Sequence, residues 1–298
     1  MKKMMRRMVS VFLVIGLMVS LIGCGTKNND KANDNASNAG TEDTNTGATN
    51  APEDTDATTD EGNSAQEQEP VTILIAAAAS MQKSLEELNP VFQEKYPWIT
   101  VEGTYDSSGK LQTQIEEGMD ADVFLSAAMK QMNALKDENL MDADSIVELL
   151  ENKVVLITPV GGNGKVTSFD DILNAEKIAI GDPASVPAGQ YAKEVFESLG
   201  IFGEVEKKAS LGTNVTEVLN WVAEGSADAG VVYATDAATT DQVTVIAEAP
   251  EGTLKQPVIY PVGIVSASTK KEAAKLYVGF LQSAEAAAVL ERYGFVVK

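Results

Sequence analysis

The most reactive-looking pair in the chain is Ser80 and Lys83, a serine and a lysine separated by two residues at the predicted start of a helix. In that spacing a lysine can assist a serine nucleophile in acyl transfer. The Ser-Asp-Asn and Lys-Thr-Gly segments that accompany such a site are missing from the sequence. A serine hydrolase using Ser80 and Lys83 therefore stands only as a remote alternative.

Two further motifs are weaker than they first look. The segment Gly-Gly-Asn-Gly-Lys at 161–165 is similar to a phosphate-binding loop, but Pro159 and Val166 occupy positions that need glycine and a hydroxyl residue. We predict an exposed turn there. Asp120 and Asp122 could form a catalytic or metal-binding pair, but they flank the start of a strand. The preferred interpretation is that they cap a neighbouring segment or form hydrogen bonds between two lobes of the folded chain.

The composition excludes several classes of function. The 298 residues include no histidine and one cysteine, which excludes Ser-His-Asp catalysis, imidazole metal sites, cysteine-ligated zinc and an internal disulfide. A net charge of -21 argues against nucleic-acid binding, because phosphate contacts need an excess of cations. The chain is long enough for one large or two modest domains.

The first 23 residues have the pattern of a signal peptide. Lys2, Lys3, Arg6 and Arg7 precede an uncharged stretch over 8–23, which is too short to span a bilayer. The segment ends in Leu-Ile-Gly-Cys24, which resembles the lipobox of bacterial lipoproteins. That resemblance implies cleavage before Cys24 and lipidation of Cys24; a plain signal peptide with an incidental cysteine is the alternative.

Residues 24–69 are predicted to be a disordered acidic tether. Beyond Cys24 they contain 11 acidic residues against Lys27 and Lys31, and alanine is their only apolar residue type. Such a composition cannot bury enough apolar surface to offset the entropy lost on ordering. With the lipobox, the tether predicts a protein held at the extracytoplasmic face of the cell membrane.

From about Pro70 onward, short apolar strands alternate with amphipathic helices. This alternation predicts an α/β fold with largely parallel sheets. In such sheets ligands bind beyond the carboxyl ends of strands, where helices begin. The pattern therefore points to Ser80, to Ser108, and to the turns before the helices predicted to begin at 188 and 215.

Six segments of the chain, in order, resemble the molybdate-binding proteins of bacterial ABC transporters. The longest, Gly-Asp-Pro-Ala-Ser-Val-Pro-Ala-Gly-Gln-Tyr-Ala-Lys-Glu at 181–194, is too long to match by accident. The others are Ala-Ala-Ala-Ser80, Tyr-Asp-Ser-Ser108-Gly, Ala-Asp122-Val-Phe-Leu-Ser-Ala, Gly230-Val-Val-Tyr233-Ala-Thr-Asp-Ala and Arg292-Tyr-Gly-Phe. One departure is Ala128, where such proteins often have aspartate.

The resemblance implies a two-lobed type II periplasmic-binding-protein fold, in which each lobe is a mostly parallel sheet flanked by helices. The chain would cross between the lobes twice. On this basis lobe 1 is placed at 70–152 plus 260–298, and lobe 2 at 153–259. The protein is expected to be a binding protein and not an enzyme, with no cofactor, no nucleic-acid partner and a monomeric state.

The resemblance also implies a ligand set, with Ser80 and Ser108 from lobe 1 and Ala188, Val215 and Tyr233 from lobe 2. Two hydroxyls, backbone N–H groups and a phenol make a site of hydrogen-bond donors, as a deprotonated tetrahedral oxyanion requires. The implied ligand is molybdate, with tungstate not distinguishable from it, and the implied partner is an ABC-transporter permease. No direct ligand to a metal cation is expected, and a binding protein for another oxyanion such as sulfate is the alternative.

Overall fold

The structure is a computed structural model that describes residues 68–162 and 164–298. The predicted signal peptide, Cys24 and all but the last two tether residues lie outside the described residues. Among the residues that are described, no helix is long and apolar enough to cross a membrane.

Strands in the described residues form two sheets, and we call the sheets with their flanking helices lobe 1 and lobe 2. The order is β11-β4-β10-β3-β1-β2 in lobe 1 and β7-β6-β8-β5-β9 in lobe 2. The strands are β1 (Val71–Ala78), β2 (Ile99–Asp106), β3 (Val123–Leu125), β4 (Val147–Asn152), β5 (Val154–Pro159), β6 (Ile178–Gly181), β7 (Ala209–Gly212), β8 (Ala229–Tyr233), β9 (Val243–Glu248), β10 (Val258–Ile264) and β11 (Val296–Val297).

Helices cover the faces of both sheets through apolar stripes at three- and four-residue spacing. In one of them Val215, Val218, Leu219 and Val222 are buried, and Asn214 caps its first turn. The helices are α1 (Gln82–Lys95), α2 (Ser108–Glu116), α3 (Met129–Asp137), α4 (Pro187–Ser198), α5 (Phe202–Lys208), α6 (Val215–Ala223), α7 (Ala234–Ala237), α8 (Lys271–Leu281) and α9 (Ala284–Arg292).

One helix contains a proline. The Asn89-Pro90 step predicts a bend or a restart, and of these the restart does not occur, because α1 continues through Pro90 as a single helix. Leu85, Leu88 and Phe92 are all fully buried along its inner face. Their packing holds the helix together although Pro90 has no N–H to donate.

The chain passes between the sheets through two adjacent connections. The outgoing one is Lys153 alone, between β4 and β5, and the returning one is 249–257, between β9 and β10. The Lys153 ammonium lies 2.9 Å from a carboxylate oxygen of Glu248, and the Ala249 N–H donates to the Val154 carbonyl at 2.8 Å. The two crossings are therefore held side by side, as expected of a hinge.

The expectation of mostly parallel sheets is wrong in detail. Among the strand pairs of the described residues, four are parallel and five are antiparallel. The antiparallel pairs involve β4, β5, β9 and β10, because the chain leaves and re-enters lobe 1 in opposite directions beside itself. The parallel strands are β1, β2 and β3 in lobe 1 and β6, β7 and β8 in lobe 2.

Candidate functional site

All five residues of the predicted ligand set line one small cavity between the two lobes. They are Ser80, Ser108, Ala188, Val215 and Tyr233. The cavity has a volume of about 10 Å³, which is about the space that one water molecule needs. The other lining residues are Ala78, Ala79, Asp106, Ser107, Ala127, Val186 and Pro187.

The parallel strands explain why these residues meet. Carboxyl ends of parallel neighbours lie at the same edge of a sheet, and each site residue is the last residue of such a strand or follows one. Ser80 follows β1 and Ser108 follows β2, whereas Tyr233 is the last residue of β8. Ala188 and Val215 come after β6 and β7 respectively.

Three of the five residues lie in the first turn of a helix. Ser108 and Val215 are the first residues of α2 and α6, and Ala188 is the second residue of α4. N–H groups in the first turn have no acceptor within their own helix, and the helix dipole adds partial positive charge there. The cavity is therefore lined by groups suited to an anion.

The Ser108 side chain is fully buried and already accepts one hydrogen bond. The Ala127 N–H donates to its Oγ at 2.9 Å. The hydroxyl hydrogen of Ser108 is left to donate elsewhere, and the cavity is beside it. The Ser108 hydroxyl can therefore act as a hydrogen-bond donor toward the cavity.

The Tyr233 phenol reaches across from lobe 2 to lobe 1. It is 1% exposed, and its hydroxyl donates to the Ala127 carbonyl at 3.4 Å, a long bond that a better acceptor could replace. Burial raises the pKa of Tyr233 well above its ordinary value. The phenol therefore keeps its hydrogen at neutral pH and can only act as a donor toward an anion.

Asp106 is a lining residue that the sequence reasoning missed. Its Oδ1 accepts from the Ser107 N–H at 2.7 Å and from the Lys110 ammonium at 3.2 Å. The Asn214 amide of lobe 2 lies 3.5 Å from the same oxygen. Its Oδ2 accepts from the same Lys110 ammonium at 3.3 Å, so both carboxylate oxygens already have a donor, and Asp106 links the two lobes at the cavity. An acidic residue in the last position of β2 was the available signal.

The lobes touch at several points beside the cavity. The Gly109 N–H donates to the Ser185 carbonyl at 3.0 Å, and any Cβ at Gly109 would collide with that carbonyl. The buried Gln131 amide donates to Gln190 at 3.2 Å. The lobes are therefore closed on each other around the predicted ligand residues.

The other chemical motifs lie elsewhere or are occupied. The Lys83 ammonium donates to the Thr239 carbonyl at 3.1 Å, whereas the Ser80 hydroxyl pairs with the Tyr260 phenol. Asp122 accepts from Leu74, Ser268 and Lys270, all in lobe 1, so of the two expected roles, capping and bonding between lobes, the second is not seen for Asp122. No cluster of three or more acidic, histidine or cysteine side chains able to hold a metal ion occurs among the described residues.

A family model described as "Bacterial extracellular solute-binding protein" matches residues 73–296. The chain belongs to this family. Its members bind solutes and are not enzymes, so the expectation of a binding protein is confirmed and the serine-hydrolase alternative falls.

Relatives with similar sequences are also named as binding proteins. A Bacillus subtilis (strain 168) protein, provisionally named ABC transporter substrate-binding lipoprotein YvgL, is 42% identical over 76% of this chain and 87% of its own. The molybdate-binding protein ModA of Haemophilus influenzae is 35% identical over 76% and 90% of the two chains.

A solved structure supports the architecture. It is the substrate-binding domain of a protein provisionally described as a molybdenum ABC transporter, from Clostridium difficile. That domain is 35% identical in sequence, with a TM-score of 0.59 over 76% of this chain and 98% of its own. The expected two-lobed α/β fold is thereby confirmed.

Proposed function

We propose that this protein captures molybdate, and also tungstate, between its two lobes and delivers it to the permease of an ABC transporter. The observation that carries the proposal is the single small cavity in which Ser80, Ser108, Ala188, Val215 and Tyr233 meet. The names of the relatives in the preceding comparisons support the choice of ion and transporter.

The chemistry of the cavity favours a fully deprotonated oxyanion. Hydroxyl, phenol and main-chain N–H groups are all donors toward it, and both oxygens of the Asp106 carboxylate already accept from the Lys110 ammonium. Phosphate near neutral pH carries a hydrogen that needs an acceptor, so phosphate would bury an unpaired O–H in this site. Sulfate also carries no hydrogen but is smaller than molybdate, so we expect the fixed spacing of the donors to decide between these two ions.

Calorimetry of the purified protein against molybdate, tungstate, sulfate and phosphate tests this proposal. We expect tight binding of molybdate and tungstate, weaker binding of sulfate and none of phosphate at comparable concentrations. Phosphate binding as tight as that of molybdate at pH 7 would contradict the all-donor site. Sulfate binding tighter than molybdate would instead support the alternative ligand.

Closure of the lobes is part of the same proposal. The proposed contacts come from both lobes, and neither lobe alone surrounds the cavity. A bound ion would therefore favour the closed state that the permease recognises. Small-angle scattering should show a smaller radius of gyration with molybdate than without it, and an identical profile at saturation would contradict closure.

We further propose that lipid on Cys24 anchors a monomeric protein to the outer face of the cell membrane. The lipobox and the acidic segment at 25–69 support this proposal, together with the lipoprotein name of the Bacillus relative. Two acyl chains on one cysteine make a stable anchor, whereas one chain binds marginally. Cys24→Ala should release the protein into the medium; a variant that still pellets with membranes would contradict the anchor. Light scattering of the released protein checks the monomer.

A further inference from the structure

Ser80 lies at the end of a buried hydrogen-bond network that reaches the hinge. Its Oγ is 2.9 Å from the Tyr260 hydroxyl, and the Asn152 amide nitrogen is 3.2 Å from the same hydroxyl. That nitrogen is also 2.8 Å from Thr235 Oγ1 in lobe 2. Tyr260, Asn152 and Thr235 are all 4% exposed or less. Asn152 is the last residue before the outgoing crossing, and Tyr260 follows the returning one.

The orientation of the Asn152 amide is determined by its neighbours. Its Oδ1 accepts from the Lys153 N–H at 2.8 Å, which only an oxygen can do. Its nitrogen therefore faces Thr235 and Tyr260 and gives one hydrogen to each. The Tyr260 oxygen is consequently an acceptor in its contact with Asn152.

We assign the Tyr260 hydrogen to Ser80. Burial raises the pKa of Tyr260 well above its ordinary value, so the phenol stays protonated. Two hydroxyl oxygens neighbour the Tyr260 hydroxyl, Ser80 Oγ at 2.9 Å and the phenol of Tyr233. The Ser80 contact has an ordinary distance for a hydrogen bond between hydroxyls, which favours Ser80 as the acceptor. Ser80 thus accepts from Tyr260 and has its own hydrogen left to donate.

We propose that Tyr260 and Asn152 are specificity-determining positioning residues, which hold the Ser80 hydroxyl as a donor toward the cavity and so make the site reject oxyanions that carry a hydrogen. The proposal rests on the oxyanion-binding function proposed for the cavity and extends it to residues that do not line it. Ser108 is polarised in the same sense by the Ala127 N–H. Both serine hydroxyls thus accept one hydrogen bond from the protein and keep their own hydrogen to donate. The donor to Ser108 is a main-chain N–H, whereas the donor to Ser80 belongs to a side-chain network.

Tyr260→Phe tests this role by removing one oxygen atom. Without the phenol, Ser80 Oγ is free to accept, so hydrogen phosphate should gain a partner for its hydrogen. Sulfate and hydrogen phosphate are dianions of similar size that differ in this one hydrogen, which makes their ratio the informative readout. Both are measured at pH 8 by displacement of bound molybdate. We expect the preference for sulfate over phosphate to fall about tenfold, with molybdate affinity reduced about three- to tenfold.

Tyr277→Phe is the matched control. Tyr277 is also fully buried in lobe 1, and its hydroxyl donates to Asn89 at 2.6 Å, away from the cavity lining. This variant loses a comparable hydrogen bond and should leave the sulfate-to-phosphate ratio unchanged. Adding Ser80→Ala to Tyr260→Phe should abolish the gain in phosphate binding, because that gain requires the serine oxygen.

Three outcomes are decisive. Phosphate that displaces molybdate no better from Tyr260→Phe than from the unmodified protein overturns the positioning role while leaving the proposed function intact. A gain that persists without Ser80, or that appears equally in Tyr277→Phe, overturns it as well. An unmodified protein that does not bind molybdate overturns the proposed function itself.

Discussion

The two lobes approach the shared cavity with different kinds of groups. Lobe 1 presents two serine hydroxyls, Ser80 and Ser108, each of which already has a hydrogen-bond partner. Lobe 2 presents the starts of α4 and α6 at Ala188 and Val215, together with one phenol. In lobe 1 the hydrogen-bond donors that face the cavity are side-chain hydroxyls. In lobe 2, apart from Tyr233, they are main-chain N–H groups. Side-chain substitutions should therefore test lobe 1 directly, but lobe 2 needs a change to the backbone.

Val215→Pro should have the largest effect on molybdate affinity. Val215 is the first residue of α6 and follows Asn214 in an extended conformation, which is where a helix accepts proline best. The proline removes the N–H and places a ring carbon near the ion, so we expect a loss of about 100-fold or more by calorimetry. Val215→Ala keeps the N–H and is the control. Equal affinities of the two variants would show that this backbone group is not a ligand.

Ser108→Ala should be the largest side-chain effect in lobe 1. The variant loses one hydroxyl donor to a charged oxygen, which should weaken molybdate by about 10- to 150-fold. It also leaves the buried Ala127 N–H without its partner, so the melting temperature should fall. Phosphate should remain excluded because no acceptor has been added. Phosphate binding by this variant would contradict the proposal that the two serines act only as donors.

Gln131→Met should have a moderate effect, because it changes closure and leaves the cavity intact. Gln131 in lobe 1 donates to Gln190 in lobe 2, and Gln131 Oε1 and Gln190 Nε2 have no partner among the described residues. Methionine keeps the volume and removes this interlobe hydrogen bond, so affinity should fall about two- to tenfold. Scattering should show more open protein at a given molybdate concentration. An unchanged affinity would mean that this contact adds nothing to closure.

The smallest expected effect is a pH dependence of molybdate affinity that arises from Asp236 in lobe 2. Burial raises the pKa of Asp236 to about 7, partly offset by the Tyr233 N–H and the charge of Lys83. An anion near Tyr233 opposes ionisation of Asp236, so molybdate affinity should fall as pH rises through 7. We expect about a two- to threefold change between pH 6 and pH 8 by calorimetry.

The free energy of unfolding should also fall as pH rises. The folded pKa of Asp236 lies above its unfolded value, so the folded state binds the extra proton between about pH 4 and 7 and loses that stabilisation as pH rises through this window. Asp236→Asn should flatten both the affinity and the stability profiles. A variant with the same pH dependence as the unmodified protein would assign the effect to another group.

Much of the fold is visible in local patterns. Apolar spacing and helix-start residues predict most of the elements, and α6 begins at the expected residue, Val215. Several short elements escape prediction because they are brief or mix polar and apolar residues, so their periodicity is weak. They are β4, α5, β7, α7 and β11.

The sequence by itself determined which residues could meet an anion. Hydroxyl and small residues after strand ends and at helix starts carry that information within a few positions, and the family resemblance selected five of them. That these five bind an oxyanion stays a prediction, although the structure does bring them to one cavity. Strand direction, in contrast, was misjudged where the chain crosses the hinge.

Only the tertiary structure decided how the donors are oriented and how the lobes meet. Ser80 and Tyr260 are 180 positions apart, and Asp106 and Asn214 are 108 apart. Local periodicity predicts which residues three or four positions apart share a face, and it cannot predict contacts between residues so far apart in the chain. The direction of a hydroxyl hydrogen depends on every donor and acceptor around it in space, and those partners become neighbours only when both sheets have formed and the chain has crossed between them twice.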